Sequence, residues 1–311
     1  QQENIDNISL VRPELEDRDL INEYLRRQKT RSCEFTFANT YLWSRHYGVE
    51  YAIVEDTLVY MAKGEKPSFT FPIGDSQKIK PALEALMEYC RELGKPFQMH
   101  LVTEGQYACL NQLYPEEFQV VYNRDSADYV YEREKLANLS GKKYHGKKNH
   151  INKFKKTYPD WTYESITDEN AEECFQMALN WRRINGCEDD PDKNAEMCVT
   201  LNFLRLFREL KMRGGLLRAA GEVVAFSIGE PVCDDTMVVH IEKAYADVPG
   251  AYPMINQQFV LHETEGYTYI NREEDTGAEG LRQAKLSYHP VFMVEKGFVT
   301  RKDAAISVNA G

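Results

Sequence analysis

HIEKAYADVPGAYPMIN, residues 240–256, reads as the end of a β-strand, a Pro-Gly loop and the start of a helix. The strand begins upstream in TMVVHIEKA (236–244), rich in β-branched residues. Pro253 falls in the first turn of the helix, where a missing N–H costs nothing. His240 and Glu242 flank Ile241, so strict alternation predicts both side chains on one face, with Lys243 at the strand end. A histidine, a carboxylate and an ammonium at one strand terminus are the parts of a proton acceptor beside an anion partner. A buried histidine bonded inside a sheet, with Glu242 and Lys243 at its rim, accounts for the same letters.

Downstream lies NREEDTGAEGLRQAKLSY, residues 271–288. Thr276 and Glu279 form T-x-x-E, a capping box that predicts a helix from Thr276 to before Pro290. On a helical wheel Leu281, Ala284 and Tyr288 fall on an apolar stripe, expected to pack inward, and Arg282, Lys285 and His289 on the adjacent cationic one. Asn271, Arg272, Glu273 and Asp275 lie at the end of the preceding strand, where open α/β sheets place ligand groups. As plain helix-terminus acids they contribute only about 0.3–1 kcal/mol each. The density of charge therefore marks a candidate site, with Glu242, His240 and Asp275 for proton transfer and Lys243, Asn271, Arg272, Glu273, Arg282, Lys285 and Tyr288 for substrate.

Strand-like segments at 51–62, 68–74 and 97–102 alternate with helices, the clearest running through KIKPALEALMEYCREL to Gly94. FQVVYNRDSADYVYE (118–132) reads as a strand pair turned at Asn123–Asp125. The second half repeats the order, with helices near 168–183, 195–213 and 252–264 and strands at 216–229, 236–244, 267–272 and 291–301. This predicts an α/β (α+β) fold duplicated in tandem: a unit over 1–140, a connecting segment over 141–157, and a unit over 158–311 carrying the candidate site.

The chain carries a net charge of −11, which excludes bulk attraction to polyanions. The connecting stretch reverses it locally: GKKYHGKKNHINKFKK (141–156) holds seven lysines and no acid. Seven cysteines without a CxxC pair read as reduced thiols in a cytoplasm, and neither Cys187 with Cys198 nor any His pair has metal-site spacing, so no metal is expected. No apolar run approaches the ~18 residues of a membrane span, and no signal peptide is visible.

With HIEKA, NREEDTGAEGLRQAKLSYHP and KKYHGKKNHINKF in place, the chain resembles the bacterial family related to the C-terminal domain of phosphatidylglycerol lysyltransferases, similar to tandem GNAT folds and to Fem-type aminoacyltransferases. The resemblance implies two GNAT-like units, each a mixed twisted sheet flanked by helices, and an aminoacyl or acyl transfer onto a lipid head group, amine or hydroxyl. It aligns the family's Asp-x-x-Arg pair with His240 and Lys243, leaving Glu242 to supply the acid, and its cationic helix with Leu281, Arg282 and Lys285. Aminoacyl-tRNA is the implied donor, contacted by Lys142, Lys143, Lys147, Lys148 and Lys153, with peripheral contact to membrane lipid and no required cofactor. Acyl-CoA ranks lower, since Asp247 and Tyr252 stand where a GNAT phosphate cradle has a cation or amide and a small residue. The alternative is a non-catalytic degenerate pair that binds an anionic metabolite or RNA.

Overall fold

Alternating apolar residues over 50–62 form a hairpin, β1 (Glu50–Val54) and β2 (Thr57–Ala62), turned by Glu55 and Asp56 at φ 49° and 59°. The computed structural model describes residues 8–302. The remaining strands are β3 (Ser68–Phe69), β4 (Gln98–Val102), β5 (Phe118–Tyr122), β6 (Asp128–Glu132), β7 (Thr162–Ser165), β8 (Arg213–Ala219), β9 (Glu222–Cys233), β10 (Thr236–Ala244), β11 (Tyr269–Asn271), β12 (Phe292–Val294) and β13 (Gly297–Arg301). They form two mixed sheets, ordered β1-β2-β3-β4-β13-β5 and β12-β6-β11-β10-β9-β8-β7, as the duplicated α/β reading requires.

The chain divides into two units. The first runs to Ala127 and takes back Glu274–Gly277 and the segment from Val294; the second comprises Asp128–Glu273 and Ala278–Met293. In the first unit the helix Ser76–Leu93 buries Leu83, Leu86, Met87 and Cys90 against Phe69, Phe97 and Met99, and ends at Gly94 with φ 66°. In the second unit the helices Ala251–Glu263 and His145–Thr157 pack Met254, Phe259, Ile151 and Phe154 with Tyr131, Leu217 and Met237.

Several expected features move. The strands of 118–132 are not a pair: β5 edges the first sheet, and β6 joins the second beside β11. The closing strands part likewise, since β13 inserts between β4 and β5 of the first sheet. The segment 141–157 lies within the second unit, mostly as the helix His145–Thr157, because Tyr144, Ile151 and Phe154 are buried in its core. The helix expected over 195–213 spans Pro191–Arg205, with Asp190 accepting from the amides of Asp192 and Lys193.

Candidate active site

In the second unit β10, the helix Ala251–Glu263 and β11 make a crossover that leaves β10 and β11 parallel. Pairing ends at Val238–Asn271, and β10 continues for six residues with no β11 partner. His240, Glu242 and Lys243 all lie on that extension, which keeps β9 as its partner on the other side.

Alternation fails at this point. The register between β10 and β9 steps from Val239–Gly229 to Ile241–Ile228, so His240 is the extra residue of a β-bulge. One inserted residue reverses the facing of those that follow. His240 stacks on Phe203 (ring centroids 5.3 Å apart, 19° between planes), and Lys243 pairs with Glu196 at 2.5 Å; Phe203 and Glu196 share the helix Pro191–Arg205. Glu242 instead accepts from Asn256 Nδ2 at 3.2 Å, on the helix Ala251–Glu263. Glu242 and Lys243 are successive residues of one strand, so these helices cover opposite faces. The expected shared face for His240 and Glu242 is thereby corrected.

On the first face, His240 lies 2.8 Å from Glu230 through Nε2 and 2.8 Å from Glu273 through Nδ1. Burial pushes its pKa down, and the two carboxylates push it up by more, to about 10. It is an imidazolium fixed between two anions, with both ring nitrogens engaged. Lys243 is buried and its Nζ stands 4.2 Å from the Trp181 ring centroid.

On the second face, the Glu242 carboxylate also receives Arg272 at 3.1 Å. The Arg272 guanidinium lies over the rings of Tyr288 (4.9 Å) and Tyr131 (5.7 Å). Its carbonyl accepts from Lys285 Nζ at 2.5 Å, and the Lys285 carbonyl accepts from Tyr131 Oη at 2.5 Å. Burial pushes the Tyr288 hydroxyl up to about 12, which keeps it neutral. Lys147 completes the wall, its Nζ 4.3 Å from the Tyr288 ring centroid. Glu242, Arg272, Lys285, Tyr288 and Lys147 therefore form one cluster.

Two orienting residues hold this geometry. Asn271 is fully buried; its Oδ1 accepts from the Glu273 amide at 2.7 Å and its Nδ2 donates to Asp128 at 2.9 Å. That turn holds Glu273 at φ 66° and sends Arg272 and Glu273 to different partners. Asp275 belongs to the first unit, where it pairs with Arg124 at 3.3 Å and accepts from the Gly277 amide at 2.8 Å, so it does not join Glu242. Arg282 is half-buried, and Lys142, Lys143, Lys148 and Lys153 are exposed.

The helix after β11 departs from expectation twice. It spans Glu279–Leu286 with Ala278 as N-cap, since Thr276 and Gly277 adopt φ 54° and 83°, and no capping box forms at Thr276. Its stripes are also mixed: Lys285 is 8% exposed and Leu281 42%, against expectation, whereas Tyr288 is buried and His289 exposed as expected. The ammonium is drawn inward by the Arg272 carbonyl and the Tyr129 ring, 5.7 Å from its centroid. Asn256, Glu230, Phe203 and Tyr131 were not expected in the site. None of them carried a distinguishing signal: Asn256 is one of three successive amides in MINQQFVL.

The start of the helix Ala251–Glu263 offers few amides. Ala251 N–H donates to the Val248 carbonyl at 3.2 Å and Pro253 has none. At Gly250 (φ 79°) an added Cβ would meet the His150 carbonyl oxygen at 2.4 Å, so the basic helix closes on this terminus.

The model of the phosphatidylglycerol lysyltransferase C-terminal family matches residues 25–298. A conserved protein of unknown function from Bacteroides thetaiotaomicron is 38% identical with a TM-score of 0.89, covering 95% of this chain and 100% of that one. The C-terminal domain of a putative lysylphosphatidylglycerol synthetase from Agrobacterium fabrum is 14% identical with a TM-score of 0.67, over 94% of this chain and 95% of that one. The L-PGS of Bacillus licheniformis is 14% identical with a TM-score of 0.65, over 94% of each chain. An uncharacterized protein of Mycoplasmoides gallisepticum is 24% identical over 184 residues, a match that spans 58% of this chain and 58% of that protein. Among the described residues no helix is long and apolar enough to cross a membrane. With a match over most of its length, this chain belongs to the family of phosphatidylglycerol lysyltransferase C-terminal domains.

Proposed function

We propose that this protein transfers an aminoacyl or acyl group to an amine or hydroxyl acceptor, with aminoacyl-tRNA as donor and a lipid head group among the acceptors. The observation that carries this reading is Glu242: a carboxylate on the end of β10 that runs past β11, oriented by Asn256 at 3.2 Å and Arg272 at 3.1 Å. A proton acceptor needs that fixed orientation. The acceptor's nitrogen or oxygen attacks the donor's ester carbonyl, its proton passes to Glu242, the ester C–O bond breaks, and Glu242 returns the proton to the leaving oxygen. Lys285 and Tyr288 hold the Arg272 wall of the site.

Two observations favour a tRNA donor over acyl-CoA. The exposed Lys142, Lys143, Lys148 and Lys153 offer contacts to a phosphate backbone in an otherwise acidic chain. A helix start normally presents about four unpaired amides, whereas Ala251 spends its own and Pro253 has none, which leaves little for a CoA pyrophosphate.

The test is isotope transfer from labelled aminoacyl-tRNA and, separately, acetyl-CoA to a panel of amines, hydroxyls and lipids. Glu242→Gln is expected to lower transfer by about 10²-fold or more while tRNA retention on filters persists. Absence of transfer from both donors across the panel rejects the enzyme and leaves the binding role.

A further inference from the structure

Four strands, β1, β5, β12 and β7, end the two sheets. Natural sheets guard such edges with charge, shortness, a bulge or a cover, because their free N–H and C=O groups template another strand. β1 is bridged by Val11 to Tyr51, β12 has three residues, and β7 has four and carries Glu164. β5 differs. Phe118–Tyr122 reads FQVVY, with no charge, proline or glycine, and its strand neighbour among the described residues is β13 alone.

Hydrogen bonds fix which groups of β5 face outward. Lys302 N–H donates to the Glu117 carbonyl at 3.1 Å, and Asn123 N–H to the Lys296 carbonyl at 3.5 Å. In an antiparallel pair such residues alternate, so Glu117, Gln119, Val121 and Asn123 turn their main chain toward β13. Phe118, Val120 and Tyr122 turn theirs away from the sheet. The Phe118 carbonyl accepts from the Tyr107 hydroxyl at 3.0 Å, which uses one of its two lone pairs. The side chains on the solvent face of this edge are apolar: Val121 is 68% exposed and lies opposite Phe298 of β13, 42% exposed.

We propose that β5 is a dimer interface, where a second copy of this chain adds its own β5 antiparallel and centred on Val120. In that register Phe118 of each copy pairs with Tyr122 of the other, and Gln119 with Val121. The charges at the strand ends choose it. The exposed Glu116 comes opposite Arg124 of the second copy. Centring on Val121 instead brings Glu117 against Asp125, and a parallel pairing sets Glu116 on Glu116 and Arg124 on Arg124, both repulsive. Arg124 pairs with Asp275 in its own copy and still exposes 41% of its side chain, so it reaches both acids. An edge that complements itself gives a closed two-fold dimer rather than a filament. The two Val121 side chains then meet diagonally across the seam, which removes apolar surface from water. The interface stands apart from the transfer reaction and needs none of its residues.

Sedimentation velocity of the full chain over a dilution series reads the association, with twice the chain mass expected at the concentrated end. Val121→Lys charges an exposed position without touching the core. It is expected to keep the wild-type far-ultraviolet circular dichroism and to weaken the dimer about ten-fold or more. Val121→Thr, uncharged and β-branched, is expected to leave the dimer intact, and Glu116→Lys to weaken it about two- to five-fold. Cross-linking reads the register, in a Cys198→Ser background that lacks the exposed native thiol. A Gln119→Cys copy mixed with a Val121→Cys copy is expected to form a disulfide on mild oxidation, since opposite residues of a non-bonded pair lie about 4.5 Å apart at Cα. A monomer at every concentration, a dimer that Val121→Lys leaves at wild-type strength, or a dimer without that cross-link overturns the proposal.

Discussion

His240 makes the strongest quantitative claim in the structure. Its two ring nitrogens bond Glu230 and Glu273, each at 2.8 Å, and its pKa stands near 10. An ordinary histidine titrates at about 6.5. A folded-state value above the unfolded one means that the stabilisation is fully present below pH ~6.5 and is lost as pH rises toward ~10. Within that window the native chain holds one proton more than the unfolded chain, so stability falls by about 1.4 kcal/mol per pH unit. From pH ~7 to ~8.5 the loss from this one group is roughly 2 kcal/mol.

His240→Gln removes the cation and keeps a side chain of similar reach. At pH ~7 it is expected to cost about 3–5 kcal/mol, because two carboxylates then face each other without a counter-charge. The decisive quantity is the difference in slope. Urea unfolding followed by fluorescence in a Trp43→Phe background reports the second unit, which contains Trp161 and Trp181. The wild-type curve minus the variant curve is expected to fall with pH between ~7 and ~8.5. Buried thiols lose stability in the same direction at higher pH, Cys90 being pushed up to about 11 and Cys174 to about 12 by burial, but both proteins share them and the difference cancels them. His100, lowered to about 4 by burial, acts only below pH ~6.5. Parallel curves over the window refute a charged His240.

The exchange of Leu281 and Lys285 gives a paired test: Leu281→Ser is expected to change stability by no more than about 0.5 kcal/mol. Lys285→Met is expected to cost ~1–3 kcal/mol, because it strips the Arg272 carbonyl of its ammonium; the opposite ranking in denaturant melts restores the apolar stripe as the buried one. Gly250→Ala forces a side chain into φ 79° against the His150 carbonyl, 2.4 Å from the new Cβ. It is expected to lower stability by at least ~2 kcal/mol, and an unchanged melting temperature removes the close contact between the basic helix and this helix start.

Local signals carried the elements and lost their partners. The helix Ser76–Leu93 was legible because Leu83, Leu86, Met87 and Cys90 repeat at helical spacing and Gly94 ends it; all four are buried. The crossover from β10 to β11 was legible from a β-branched strand, a Pro-Gly loop and an apolar helix in sequence. Strand alternation does not name a neighbour, however. The strand Gly297–Arg301 reads as the end of the second half yet pairs with Gln98–Val102 and Phe118–Tyr122 of the first sheet. A helical wheel likewise finds stripes without saying which one turns inward. At Glu279–Leu286 that choice falls to a main-chain carbonyl and a tyrosine ring supplied by other elements.

That charged residues gather near the ends of β10 and β11 was legible and how they divide was not, and one residue explains why. Counting two residues per repeat puts His240 with Glu242; the bulge spends an extra residue at His240 and separates them. The consequence is chemical. With His240 on the far face and bonded at both nitrogens, no imidazole lone pair is available to the cluster, and in the proposed transfer the proton acceptor is Glu242. Arg272 and Glu273 then divide the same way, the cation to Glu242 and the acid to His240, held apart by the turn that Asn271 fixes. Removing that turn with Asn271→Ala is therefore expected to disturb both faces at once, lowering the His240 pKa seen by NMR and lowering transfer. A change confined to one face means that the two clusters are not joined through Asn271.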